Sequence, residues 1–313
     1  MTKISIIGTG RVGSSVAMHC ANHRFGDLVL IDRYPNKAKG LYLDLLQASP
    51  LDDIDLKIYG GGYDKTKNSD IIVITAGLPR KPGMTREELL NVNAKIVAEV
   101  TRKTAKLSKN AIYIIVTNPL DAMCYINAKV SKFPKHKIVG MAGLLDTSRF
   151  RAFIAQELKV SVKDIETLVL GSHGDEMVPL ISHTFIGKEK ITKFLSRKKI
   201  NYLVEKTRNA GAEIVALEKE GSAFIAPGAA IAHMIDSIIN DKKRILPCSA
   251  WLNGQYNVKG MFMGVPVILG KDGVEKIIEV EMEKNEKEKF AKSVKAISNS
   301  IKNLNKILKH GNI

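Results

Sequence analysis

Gly8-Thr9-Gly10-Arg11-Val12-Gly13 is the phrase that most limits how this chain can fold. It follows the apolar run 4–7 and opens a segment of helical character, 11–20. Gly8 permits a tight turn, Gly10 lets another molecule approach the backbone, and Gly13 lets the helix lie close on the strand. The start of such a helix offers free N–H groups and the positive end of its dipole, which suits a phosphate. Three glycines can equally make a plain structural turn. The decisive addition is Asp32, which ends the next apolar run, 28–31, and lies 19 residues past Gly13. A carboxylate there reaches the hydroxyls of an adenosine ribose and repels a 2′-phosphate, so the pattern points to NAD. Arg33 next to it is able to accept that phosphate and leaves some use of NADP open.

The rest of the first half repeats the rhythm. Strands are expected at 56–59, 71–75, 112–116 and 137–139, and helices at 37–47, 85–107 and 120–130. Alternation of this kind gives parallel strands joined by right-handed crossovers. After about Gly143 the rhythm changes. Helices are expected at 145–158, 201–219 and 226–239, and strands at 167–170, 245–251 and 265–269. A Lys/Glu-rich helix, 281–310, takes its apolar face from Phe290, Val294, Ile297, Ile301, Leu304 and Ile307. The fold class is therefore α/β: an N-terminal Rossmann, doubly wound parallel sheet (1–143), then a C-terminal mixed α+β substrate domain (144–313).

Bulk properties exclude other classes. No stretch approaches the roughly 18 apolar residues of a membrane span, and the start of the chain lacks the features of a signal peptide. Cys20, Cys124 and Cys248 lie far apart in no metal-binding pattern, so no metal is expected, and their sparseness fits reduced thiols in a cytoplasm. The net charge of +16 raises nucleic acid and membranes as partners. The basic residues are dispersed without aromatic interleaving, which argues for solvated faces and for steering of anionic ligands instead.

A candidate for acid–base work is His173, set in Gly171-Ser172-His173-Gly174 just past an expected strand. Histidine suits proton exchange near neutrality. His19, His23, His136 and His310 fall on expected surface segments and read as structural or solvated; His183 and His233 are harder to dismiss. Asp146 is available to hold the imidazole. It stands three residues before Arg149, which fits either an ordinary exposed intrahelical ion pair or a carboxylate that orients His173 beside a guanidinium that grips an anion. The loop from Arg80 to Arg86, with Pro79, Pro82 and Gly83, reads either as a lid over an anion or as a plain basic loop.

Taken together, these residues resemble the lactate/malate dehydrogenase family over nearly the whole chain. The resemblance is carried by the glycine phrase, Asp32, Ala76-Gly77-Leu78-Pro79-Arg80-Lys81-Pro82-Gly83-Met84-Thr85-Arg86, Asn91-Val92-Asn93 and Thr117-Asn118-Pro119-Leu120-Asp121. Leu145-Asp146-Thr147-Ser148-Arg149-Phe150 and Gly171-Ser172-His173-Gly174-Asp175 complete it. The long lid phrase is most similar to the malate-specific members of the lactate-dehydrogenase-like group. The resemblance implies that His173, positioned by Asp146, exchanges the proton, that Arg86 polarises the carbonyl, and that Arg149 holds the adjoining carboxylate. It also implies that Arg80 selects a dicarboxylate, malate or oxaloacetate. Asn118 is implied to contact substrate and nicotinamide, Asn93 and Val116 to line the cofactor, and Ala223 to leave room for the larger substrate. A homodimer or homotetramer is implied as well. The face Ala38/Leu41/Leu45 and the segment 226–239 are candidates for its contacts, and core packing explains them equally well.

Overall fold

The computed structural model describes residues 2–309 apart from 56, 80–82 and 220. Arg80 and His310, singled out above, lie outside the described residues.

Strand β1 (Lys3–Ile7) sits between β2 (Asp27–Ile31) and β4 (Ile71–Ile74), with β3 (Ile58–Gly60) beyond β2. Beyond β4 come β5 (Ile112–Ile115) and β6 (Ile138–Gly140), and all these pairings are parallel. Continuous apolar runs are what strands covered on both faces require. One row, Leu30–Ile6–Val73–Ile114, is in register across four strands, and each member is completely buried. Burying each such side chain contributes about 1.5–3 kcal/mol. Strand order reverses between β1 and β4, and a crevice at the carboxyl ends of the strands follows from that reversal.

The connecting helices are α1 (Arg11–Asn22), α2 (Pro35–Ala48), α3 (Arg86–Leu107) and α4 (Leu120–Ser131). Thr85 caps α3 rather than belonging to it: its hydroxyl accepts from Glu88 N–H at 3.1 Å, and Glu88 accepts from Thr85 N–H at 2.8 Å. This reciprocal pair fixes where the 78–86 loop becomes helix.

The second half does not start a separate large sheet. Strand β12 (Arg244–Asn253) joins β6 through the pair Ser249↔Gly140, and β13 (Lys259–Gly270) pairs antiparallel with β12. Then come β8 (Val169–Gly171) and β9 (Met177–Pro179), while β14 (Gly273–Ile277) pairs with β13. The expected strand 167–170 is realised as β8, which begins two residues later, and a separate short strand, β7 (Ile165–Glu166), precedes it. Strand β7 joins β10 (Phe185–Ile186) and β11 (Glu189–Lys190) in a small sheet of its own. Strand β13 is far longer than the expected 265–269. Its start, Lys259-Gly260, has the composition of a loop, yet it pairs with β12 as far as Asn253. Helices α5 (Gly143–Leu158), α6 (Arg197–Glu218) and α7 (Ile225–Ile239) pack around this half. The last, α8 (Lys284–Lys309), buries Phe290, Ile297, Ile301 and Leu304 as its spacing predicts.

Charge gathers where local sequence gives no sign of it. Lys67, Lys106, Lys109, Lys137 and Lys271 surround a cleft of about 700 Å3 at the amino ends of the parallel strands, the opposite end from the glycine turn.

Candidate active site

The glycine turn is built as its sequence requires. Gly8 has φ +102°, and a Cβ there would lie 2.7 Å from Ala76 N. A Cβ on Gly13 would fall 1.8 Å from the Gly8 carbonyl oxygen, so only glycine fits. Gly10 differs: a Cβ there would meet nothing within 4 Å, and no side chain caps the helix it precedes. The open space and the uncapped amides fit a pyrophosphate. Asp32 accepts from Thr9 N–H at 2.8 Å and from Thr9 Oγ1 at 3.0 Å with one oxygen, and from Tyr34 N–H at 3.0 Å with the other. It therefore ties the turn to the end of β2. The Arg33 guanidinium lies over the Tyr34 ring.

Other residues of the sequence-predicted site surround this turn. The Arg11 side chain turns toward α6 and α7, pairing with Glu218 and lying over Phe224, so only its backbone faces the turn. Val12 packs at the edge of the core, and Val116 N–H donates to Ile74 O at 3.0 Å. Asn93 is fully buried and braces two loops. It accepts from Leu78 N–H at 2.8 Å and donates to Asn118 O at 2.7 Å. Asn118, exposed and joined to Pro119 by a cis peptide, is held by its main chain. Ala223 is half-buried just ahead of α7.

Asp146 organises the acid–base group. Its Oδ2 lies 2.7 Å from His173 Nδ1, and its Oδ1 accepts from Arg149 Nη1 at 3.4 Å. The side chains of His173 and Arg149 are each 15% exposed and that of Asp146 4%. The surface ion-pair reading of Asp146 and Arg149 is thereby overturned: the pair is buried, and its carboxylate is shared with the imidazole. With Nδ1 engaged, Nε2 is the free nitrogen of His173. Burial works to lower the pKa of His173. The charge and hydrogen bond of Asp146 outweigh it, Arg149 opposes them, Asp121 assists, and the net position is above the ordinary value. Arg149 has room because Gly211 of α6 faces it; a Cβ there would sit 3.6 Å from its guanidinium. Arg86 starts α3 and pairs with Asp175, two residues past His173.

Sequence reasoning passed over three residues. Ser293 of α8 accepts from Ser172 N–H at 2.7 Å and so anchors the His173 loop. Asp121, in the first turn of α4, is 5% exposed and accepts from Ser249 Oγ at 2.6 Å. Burial pushes its carboxyl up to about 6, against the lowering effect of the Ser249 hydrogen bond and of His173. The one available signal was its place in the phrase Thr117–Asp121, where its role was left unassigned.

Among the described residues, no group of three or more His, Cys, Asp or Glu gathers to hold a metal ion, and no helix is long and apolar enough to cross a membrane.

A glycine turn with open, uncapped amides after β1 and a buried His–Asp–Arg set at the loop after β8 together suit an NAD-dependent oxidoreductase. Residues 2–140 match the NAD-binding domain of lactate/malate dehydrogenase, and residues 144–307 match the alpha/beta C-terminal domain of the same family. The chain belongs to the lactate/malate dehydrogenase family, and NAD is its cofactor. It is 49% identical over 300 residues to a malate dehydrogenase of Heliobacterium modesticaldum, covering 96% of this chain and 97% of that protein. The structure of Cryptosporidium parvum malate dehydrogenase superposes with a TM-score of 0.95 at 42% identity, covering 97% of this chain and 99% of that one. The lactate dehydrogenase of the same organism, solved with lactic acid and the dinucleotide, gives 0.94 at 37% identity over 97% and 98%.

Proposed function

We propose that the chain is a malate dehydrogenase, exchanging a hydride reversibly between NAD and the (S)-malate/oxaloacetate pair. The observation that carries this reading is the double bond-partner role of Asp146, which sets a proton-carrying imidazole beside an anion-gripping guanidinium. Similarity to malate dehydrogenases at up to 49% identity supports the substrate.

NAD supplies or takes the hydride when bound. The backbone of Gly8, Gly10, Arg11, Val12 and Gly13 holds the pyrophosphate, and Asp32 the adenosine ribose. Val116 and Asn118 border the nicotinamide end, where Asn93 acts by bracing Asn118. Arg149 grips the carboxylate next to the reacting carbon in paired bonds. Arg86 swings from Asp175 to polarise the carbonyl oxygen. His173 gives its Nε2 proton to that oxygen in reduction and reclaims it in oxidation, while Asp146 fixes the tautomer and stabilises the imidazolium. Arg80 takes the second carboxylate. A charge left unpaired in a closed, dry site costs roughly several kcal/mol, so pyruvate is disfavoured by charge as well as by shape.

The same reading divides the chain into nucleotide and substrate domains, 1–143 and 144–313. It also gives the protein a second copy. Helix α2 buries only Ala38 completely, while Leu43 and Leu46 are 40% and 42% exposed and Leu41 and Leu45 are half-covered. Apolar exposure on this scale fits a homodimer or a homotetramer. Three buried, unpaired cysteines fit a cytoplasmic setting.

An absorbance assay crossing NADH and NADPH with oxaloacetate and pyruvate tests the reading. NADH with oxaloacetate is expected to be fastest. Faster turnover of pyruvate would make the chain a lactate dehydrogenase.

A further inference from the structure

Beneath His173 lies a second buried carboxylate that the reaction as described does not use. Asp121 enters from the first turn of α4, where the helix dipole favours negative charge. Ser249 of β12 donates to it at 2.6 Å, and the imidazole and backbone N–H of His173 both act to favour its ionised form. Ser249 stands at the single pairing that joins β12 to β6, opposite Gly140. A Cβ on Gly140 would lie 2.8 Å from both the Ser249 Cβ and the Cys124 Sγ. The absent side chain at 140 is therefore what lets Ser249 and Cys124 close around the carboxylate.

We propose that Asp121 is a positioning residue for the proton step: held by Ser249, it fixes the main chain of His173 and keeps a second negative charge beside the imidazole. The proposal rests on His173 being the proton-exchanging group. The ionisable groups that face Asp121 are His173 from the loop after β8, Cys124 of α4 and, through the thiol pair, Cys248 of β12. Asp146 and Arg149 of α5 act on it through the imidazole.

Both thiols are pushed up by burial, so they stay neutral while Asp121 and His173 exchange charge. Ionised Asp121 favours imidazolium. Removing its charge must lower the pKa of His173. In oxaloacetate reduction, which needs imidazolium, the alkaline limb then moves to lower pH. In malate oxidation, which needs neutral imidazole, the acid limb moves the same way.

Substitution separates charge from anchoring. In Asp121→Asn the amide oxygen can still face His173 N–H while the amide nitrogen donates to Ser249 Oγ, so only the charge is lost. Asp121→Ala loses both. Ser249→Ala removes the bond that helps keep Asp121 ionised.

The test measures pH profiles of kcat in both directions for the full-length protein, alongside the His173 ring titration by NMR, with its signal assigned by its loss in His173→Asn. Asp121→Asn is expected to move both limbs and the ring titration down by about one pH unit, with NADH affinity unchanged. Ser249→Ala should give a smaller shift in the same direction. Asp121→Ala should lose about another tenfold in kcat at every pH. Equal loss of kcat at all pH values in Asp121→Asn, with the ring titration unmoved, would overturn the proposal. If Asp121→Asn fails to fold, Ser249→Ala decides: an unshifted titration there overturns it too. Near-normal turnover by His173→Asn would sink the assignment of the proton group itself and is read independently of the other variants.

Discussion

The N–H of Ser172 donates to Ser293 Oγ at 2.7 Å, joining residues 121 positions apart and tying the loop that carries His173 to the last helix. Gly171 beside it has φ +84°, and a Cβ there would lie 2.8 Å from the same oxygen. Ser293 is completely buried, and no other hydrogen bond is made by the Ser172 N–H among the described residues. Ser293→Ala should destabilise the fold by about 1–3 kcal/mol, the cost of an orphaned buried donor. It should also lower kcat, since the imidazole loses its fixed floor. Urea unfolding and steady-state kinetics on the same preparation check both.

The glycine turn yields a paired prediction. Gly13→Ala places a methyl against the Gly8 carbonyl and should leave little folded protein. Gly10→Ala has open space and an ordinary φ of −71°, so stability should stay within about 0.5 kcal/mol of the parent. Its NADH affinity should nonetheless fall at least tenfold, because the methyl takes the room left for a ligand. A fluorescence titration showing unaltered NADH binding by Gly10→Ala would remove the turn from the cofactor site.

His173→Asn should lower kcat by about 10²–10⁴-fold, the usual worth of a positioned proton donor, while NADH still binds. The raised pKa of His173 also sets the pH dependence. Oxaloacetate reduction should decline on the alkaline side around a value above 6.5. Stability has the same sign. His173 contributes fully below its unfolded pKa, and the contribution is lost as pH rises through the folded one. Asp121, raised from 3.8 to about 6, behaves likewise, its share being present below about 3.8 and gone above about 6. His19 and His233, held below the ordinary value by burial, act in the opposite sense, so the difference between parent and variant is what isolates Asp121. Unfolding free energy measured by urea should favour the parent over Asp121→Asn more at pH 4 than at pH 8, and a difference that does not change with pH would contradict the raised pKa of Asp121.

Arg80→Gln should shift preference toward pyruvate, raising the pyruvate/oxaloacetate ratio of kcat/KM at least tenfold. An unchanged ratio would take Arg80 out of the selecting role.

How much of this was legible depends on the distance over which each feature is encoded. Long apolar runs such as 28–31 and 71–74 are their own evidence, because a strand buried on both faces needs no partner to be recognised. The two-residue strands β7, β10 and β11 show no periodicity and exist only as edges of one another. Strand β13 extends through Lys259 and Gly260 because β12 lies opposite, which no local pattern states. The site follows the same rule. His173 and Asp146 stood out through their neighbours. Asp121 did not, because its meaning comes from Ser249, 128 residues away. The exposure of the Asp146–Arg149 pair was equally unreadable, since a three-residue spacing is the same on a wet face and a dry one.

The strand pairing at Gly140 and Ser249 has a consequence for how such a chain can diversify. In the proposed reading substrate choice is set at position 80 and is free to wander there. The glycine at 140 has no such liberty: enlarging it presses at once on the thiol of one half and the hydroxyl of the other. New specificities should arise at the rim, over an unchanging keel.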